Sequence, residues 1–278
     1  MSTSGPAEVI NVVTSCDGNY LHYIATLAKS IELVHDPDRV RLTVLHDGIG
    51  DEPRQRLEAS LTSLPVRWIE VCPDDFKAAG LDDPQTLMRP HYFRCLVGQL
   101  LPAEETRCLY LDGDTIVRQD LAPLWATDLA GHAAGAALDY FLARVGDAIT
   151  PWRELGLDPD RPHFNSGVML IDLDIWRDKG AGVNALQTCL DNPDHLLAQG
   201  KWPQYDQFGL NVVLHRDWLR LDQTWNYLSE MDDASPAVVH YCGGGKPGSP
   251  TCQPRFTTWF EEIIDQTSWS HWRPDSQR

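Results

Sequence analysis

Val9-Ile10-Asn11-Val12-Val13-Thr14 is a short, apolar, β-branched run that breaks at Ser15-Cys16-Asp17-Gly18-Asn19. A helical spacing of apolar residues follows through Tyr20, Ile24, Leu27, Ala28 and Ile31. The stretch therefore predicts a strand, a loop and a helix. Val40 to Leu45 predicts the next strand, Glu52 to Leu61 a helix, and Val66 to Val71 a third strand. Strands alternating with helices argue for βαβ units and a largely parallel sheet. Sheets of this kind bind ligands at the carboxyl ends of their strands, so Ser15 to Asn19 is a first candidate site.

Further along, a helix is expected from about His91 to Leu101, then an apolar strand, Cys108 to Leu111, which resumes at Ile116-Val117. Ala133 to Leu138 and Val168 to Ile171 read as strands, and Ala181 to Leu197 and Tyr205 to Leu214 as helices. Val238 to Tyr241 ends a last strand, and Phe256 to Ile264 is amphipathic. Neither an internal repeat nor a long linker divides the chain, so one α/β domain is expected over residues 1–250. A tryptophan-rich extension, residues 251–278, would pack on or beside it.

Composition narrows the function. The 278 residues are 42% hydrophobic, which argues against disorder, and a chain of this length can bury a sizeable core without disulfide staples. Lys and Arg number 23 against 40 Asp and Glu, a formal charge of −17, so the surface repels nucleic acid and anionic lipid. The seven cysteines lack a CxxC pair and a regular spacing, as expected of reduced thiols in the cytoplasm. Met1 to Pro6 carries no basic and apolar signal-peptide pattern, and no apolar run reaches the ~18 residues of a membrane span.

Leu109-Tyr110-Leu111-Asp112-Gly113-Asp114 is the most informative block. Two carboxylates at the end of an apolar strand repel each other and call for a cation, and oxygen ligands suit Mg²⁺ or Mn²⁺. Gly113 would let backbone or a sugar approach closely. The plainer reading is a solvated Asp-Gly turn. In His240-Tyr241-Cys242-Gly243-Gly244-Gly245-Lys246-Pro247 the imidazole could complete a metal site, while glycine amides and Lys246 could meet an anion. A mobile glycine loop with a solvated lysine is the alternative. Asp17 and Asn19 could bind a base or ribose, or simply cap the turn. Asn165 and Gln207 could grip sugar hydroxyls or satisfy backbone groups.

Taken in order, these blocks resemble the retaining glycosyltransferases of family eight, which include bacterial lipooligosaccharide galactosyltransferases and glycogenin. The resemblance rests on Asp17-Gly18-Asn19-Tyr20, Tyr92-Phe93-Arg94, Leu109 to Asp114, Phe164-Asn165-Ser166-Gly167-Val168, Asp206-Gln207, and His240 to Gly243 with Lys246-Pro247. It spans roughly residues 9 to 248. It implies a GT-A fold with a Rossmann-like nucleotide-binding half, a mixed central sheet, a UDP-glucose or UDP-galactose donor, and Mn²⁺ or Mg²⁺. Asp112, Asp114 and His240 would be the metal ligands. Ser15, Cys16, Asp17, Asn19 and Arg94 would hold the uridine side of the donor, and Gly243 and Lys246 the diphosphate. Asp139, Asn165, Asp206 and Gln207 would surround the transferred sugar, with Gln207 steadying a front-side attack through its carbonyl. Asp112 and Gly113 to Asp114 would also border the donor.

Two features depart from that pattern. Gly248 stands where the family often has an aromatic residue after Lys-Pro, and the tail holding Trp259, Trp269 and Trp272 has only Arg255, Arg273 and Arg278 as cations. The expected partners are a nucleotide sugar and a hydroxyl acceptor shaped by residues 74–90 and 140–162, without nucleic acid. Exposed tryptophans would make a homodimer unsurprising. A sugar-nucleotide-binding protein without turnover is the alternative. A nicotinamide-dependent oxidoreductase is disfavoured, because no GxGxxG follows the first strand.

Overall fold

A computed structural model describes residues 9–199, 202–231 and 235–273. The segment Met1 to Pro6 and the cation Arg278 lie outside the described residues. The strands are β1 (Ile10–Cys16), β2 (Val40–His46), β3 (Val66–Glu70), β4 (Arg107–Leu111), β5 (Thr115–Val117), β6 (Ala134–Leu138), β7 (Phe164–Asp172), β8 (Leu197–Ala198), β9 (Trp202–Pro203), β10 (Trp218–Arg220), β11 (Tyr227–Leu228) and β12 (Val238–His240). Helix α1 spans Leu21–Val34 and α2 spans Asp51–Glu58.

Seven strands form one sheet in the order β10-β6-β7-β4-β1-β2-β3. β7 runs antiparallel to both β4 and β6, while the other pairings are parallel. The sheet is therefore mixed, as the family resemblance implies, although its first half has the parallel pairing read from the βαβ pattern. Alternate residues of the central strands face two separate cores. Val13, Tyr110 and Met169 enter one, and Val12, Leu109 and Leu170 enter the other. A strand buried on both faces has no polar side, which is why β1 and β4 read as near-continuous apolar runs.

Three expectations need correction. The resumed strand at Ile116-Val117 is real but leaves the main sheet: β5 joins a three-stranded sheet in the order β11-β12-β5. The helix expected from His91 to Leu101 is three short pieces, Pro90–Phe93, a 3-10 turn Arg94–Leu96, and Val97–Leu100. The helix expected to reach Leu197 ends at Asp191, because Asn192-Pro193 follows and proline cannot donate the next helical hydrogen bond.

The carboxy-terminal helix Pro254–Ile264 lies against α1 and the small sheet, burying Phe256, Phe260, Ile263 and Ile264 beside Tyr23, Ile116 and Val239. Trp272 stacks on His22 at 4.1 Å, and Arg56 lies over Trp269 at 4.3 Å. The tail tryptophans therefore pack back on the domain.

Candidate active site

The topology gathers chain ends at one edge of the sheet. β1 and β4 are parallel neighbours with Val13 paired to Tyr110, so the turn after β1 and the Asp112-Gly113-Asp114 turn after β4 emerge side by side. β7 is antiparallel to β4, which brings its beginning to that same edge: the Asp112 amide donates to the Gly167 carbonyl at 2.7 Å. One strand further, the amide of Asp139 donates to the carbonyl of His163. His240, paired with Thr115 in the small sheet, arrives from the other side, and the amide of Tyr241 donates to the Asp114 carbonyl.

Asp112, Asp114 and His240 thus converge. Each offers a ligand atom, and these atoms lie within 4.8 Å of one another. His240 Nε2 is 3.3 Å from Asp114 Oδ1 and 3.7 Å from Asp112 Oδ2. The Lys246 ammonium ion-pairs with the other oxygen of Asp114 and sits 5.3 Å from the Tyr23 ring centroid. Burial disfavours the charged Asp114, but Lys246 and His240 outweigh it and hold the carboxyl well below the usual carboxylate range. A half-enclosed pair of carboxylates with an imidazole is a donor set that fits a hard or borderline divalent cation.

Beside this cluster a cavity of about 270 Å³ is lined by Ser15, Cys16, Asp17 and Tyr20, by Pro90, His91 and Arg94, and by Asp112 to Asp114. Several expected donor contacts have internal partners here. Ser15 Oγ donates to the Pro90 carbonyl at 2.8 Å and shares a 2.6 Å hydrogen bond with the Tyr110 hydroxyl. Cys16 is buried, and burial raises its thiol pKa. Asp17 accepts from the Asn19 amide at 2.8 Å, which is the capping role of an Asx turn, while Asn19 itself is exposed. The room that Gly113 leaves faces inward, since a Cβ there would stand 2.5 Å from Ile24 Cδ1. Gly243 is exposed with φ +53°, a backbone conformation that glycine adopts without strain.

The sugar-side residues form a second network joined to the first. Arg94 is fully buried: Nε contacts Asp206 at 2.9 Å, Nη2 Asp112 at 2.7 Å, and Nη1 the Ser166 carbonyl at 2.6 Å. Burial pushes the Asp206 carboxyl up to about 7 against the opposing pull of Arg94. Gln207 donates to Asp139 at 2.9 Å and to Gln204 at 2.7 Å, while its carbonyl accepts the Ser166 amide at 3.0 Å. Asp139 also accepts the amides of Phe141 and Leu142. Asn165 Oδ1 accepts the amides of Gly167 and of the Asn226 side chain.

Ser166, Tyr110 and Asn226 are site residues that the motif reading did not single out. Asn226 carried one faint signal: an asparagine between Trp225 and Tyr227, just ahead of an apolar segment, needs a partner inside the fold. Residues 74–90 and 140–162, expected as loops, contain the short helices Pro73–Ala78, Pro84–Leu87 and Val145–Ala148.

The mixed α/β sheet, with the Asp112-Gly113-Asp114 turn at its carboxyl edge and His240 beside it, matches the GT-A fold of glycosyltransferases. The model for glycosyl transferase family 8 matches residues 11–250, and the chain belongs to that family. It is 25% identical to general stress protein A of Bacillus subtilis, over 95% of this chain and 96% of that one. Identity to the lipopolysaccharide 1,2-glucosyltransferase of Escherichia coli is 27%, over 98% and 81% of the two chains. Among solved structures, the galactosyltransferase LgtC in complex with donor and acceptor sugar analogs superposes with a TM-score of 0.74. That alignment is 28% identical and covers 96% of this chain and 98% of LgtC. Among the described residues no helix is long and apolar enough to cross a membrane.

Proposed function

We propose that this protein is a retaining, divalent-metal-dependent hexosyltransferase that moves glucose or galactose from a UDP-sugar to an acceptor hydroxyl in the cytoplasm. The observation that carries this reading is the convergence of Asp112, Asp114 and His240 beside Lys246, at the mouth of a cavity bordered by the β1 turn. Asp112, Asp114 and His240 would hold Mn²⁺ or Mg²⁺, and a cation bound there supplies positive charge where the leaving diphosphate becomes more negative. Lys246 adds a second positive charge next to the same group, and the amides of the Gly243 loop offer it hydrogen bonds. The Asp17–Asn19 turn and the backbone of Ser15 and Cys16 border the nucleoside.

On the sugar side, Asn165, Asp139 and Asp206 present polar groups to hydroxyls. Gln207 is fixed by three hydrogen bonds, so it is held in place before substrate arrives. Its carbonyl oxygen keeps a second lone pair beyond the Ser166 bond, which can face a sugar carbon that becomes electron-poor. Such an amide stabilises charge better than it forms a covalent bond. The acceptor hydroxyl would attack on the face the diphosphate leaves: the bond from the anomeric carbon to the diphosphate oxygen breaks, the new carbon–oxygen bond forms with retention, and the departing diphosphate oxygen takes the hydroxyl proton.

The test is UDP release from a panel of UDP-, GDP- and TDP-sugars, with Mn²⁺ and with EDTA. Release from one UDP-hexose that EDTA abolishes supports the assignment, and D112N and D114N should each lower it about 100-fold or more. Retained activity in both variants would remove the metal from the reaction. A UDP-sugar that raises the melting temperature without any release would point to a binding protein.

A further inference from the structure

Asn226 is completely buried and lies behind the candidate metal cluster. Its side-chain oxygen is 2.9 Å from Nδ1 of His240, and its side-chain nitrogen is 2.8 Å from Oδ1 of Asn165. The hydrogen on Nδ1 of His240 can be deduced from these contacts, because one end of the chain of bonds is a main-chain group. The amide of Gly167 can only donate, and it donates to the Asn165 side chain at 2.9 Å. That atom is therefore the Asn165 oxygen. The Asn226 atom facing it is then the NH₂ group, and the Asn226 atom facing His240 is the oxygen. An oxygen that only accepts requires Nδ1 to carry the hydrogen. Nε2, the nitrogen turned toward Asp112 and Asp114, is then the ring atom left to meet a cation.

From this chain, and resting on the reading of Asp112, Asp114 and His240 as a metal site, we infer that Asn226 is a positioning residue that holds His240 in its metal-accepting tautomer. Gly167 serves the same end sterically. A Cβ there would lie 2.2 Å from His240 Cε1 and 2.7 Å from Nδ1, so the ring occupies space that only glycine leaves open. The relay also ties the sugar side to the metal side: Asn165, the expected sugar contact, reaches His240 through Asn226. With both Asn165 Oδ1 bonds turned inward, its NH₂ group is the part that remains for a donor hydroxyl.

Two variants separate this role from plain packing. Asn226→Leu has a similar volume and no acceptor. Asn226→Asp keeps an acceptor for Nδ1–H but faces Asn165 Oδ1 with a carboxylate oxygen, so it should lower the melting temperature while preserving the tautomer. Side-chain ¹⁵N NMR of the metal-free wild type should show a hydrogen on Nδ1 of His240. An Nδ1 without a hydrogen overturns the inference. Mn²⁺ affinity, read by electron paramagnetic resonance of the free ion, should fall about 10–100-fold in N226L and stay within about threefold in N226D, the range of effects seen for groups behind metal ligands. Wild-type affinity in N226L, or a loss in N226D as complete as in H240A, overturns it. Should N226L fail to fold, the wild-type spectrum and N226D still decide. If the wild type binds no Mn²⁺, the metal reading falls and the positioning role falls with it, whatever the tautomer.

Discussion

Arg94 holds two acidic residues from distant parts of the chain, and its planar fork is what allows this. Nη2 meets Asp112, Nε meets Asp206, Nη1 meets the Ser166 carbonyl, and the guanidinium lies 4.4 Å over the Tyr110 ring. A lysine would keep the charge and lose that geometry. R94K should therefore lower turnover about 100-fold, through misplacement of Asp112 and Asp206, as expected for displacements near 1 Å at a reacting centre. A steady-state assay beside a thermal melt checks it, and near-normal turnover would show that the fork is dispensable. At this scale the sequence was partly legible. Asp112 and Asp114 stood out because charge at the end of an apolar strand conflicts with its surroundings. Ser166 and Asn226 did not, because their importance comes from which atoms face them, and that depends on strands far apart in the chain.

Elements were legible where periodicity was long and unopposed, as in α1 and β1, and less so where a few residues redirect the backbone. The Asp112-Gly113-Asp114 turn hides a change of sheet, since an apolar strand looks alike on either side of it. Close helix packing leaves another trace that only the structure reveals. In the helix Ala181–Asp191, a Cβ on Gly182 would fall 1.8 Å from the Cys95 carbonyl oxygen. Backbone cannot rotate away as a side chain can, so G182A should cost about 3 kcal/mol, the upper end for overpacking. Chemical denaturation measures it, and a cost near zero would mean that the helix slides freely.

Another element-level device is Glu32, near the end of α1. Its Oε1 accepts the amides of Thr62, Ser63 and Leu64, and its other oxygen pairs with Lys29. Burial opposes ionisation, but Lys29 and the three amides prevail and take the carboxyl from an ordinary 4.5 to about 2. On acidification the unfolded chain takes up this proton first. The stabilisation is therefore complete above pH 4.5 and is lost as pH falls toward 2. E32Q should be less stable than wild type at neutral pH, with the gap closing across that window. A constant gap would assign Glu32 no linkage to pH.

For the whole molecule, strand and helix signals that alternate without an interrupting linker indicated one α/β body, while the mixed sheet came from the family resemblance and not from the periodicity. Those signals left open where the tail tryptophans go, since stacking partners such as His22 cannot be read from spacing. W272A removes the stack on His22 and edge contacts with Tyr23 and Phe260. It should cost about 2 kcal/mol, the burial of one large side chain. Because Tyr23 flanks Lys246, donor affinity should weaken as well. A melt and a nucleotide titration read the two effects, and an unchanged affinity would separate the tail from the site. The charge of −17 adds a second expectation at this scale. Self-repulsion weakens under salt, so the melting temperature should rise from low to moderate NaCl, and a flat response would mean that the acidic groups are already locally compensated.

The docking of the Pro254–Ile264 helix and Trp272 onto α1 has a consequence for synthesis. A ribosome releases the chain from its amino end, so β1 and α1 are free long before their partners exist. The surface of Tyr23 and Ile116 waits for Val239, Phe256 and Phe260, and His240 and Lys246 can reach Asp114 only once they too have been made. Until then the nascent chain displays an uncovered aromatic face and two carboxylates without their imidazole, a site that local folding of its first half cannot complete.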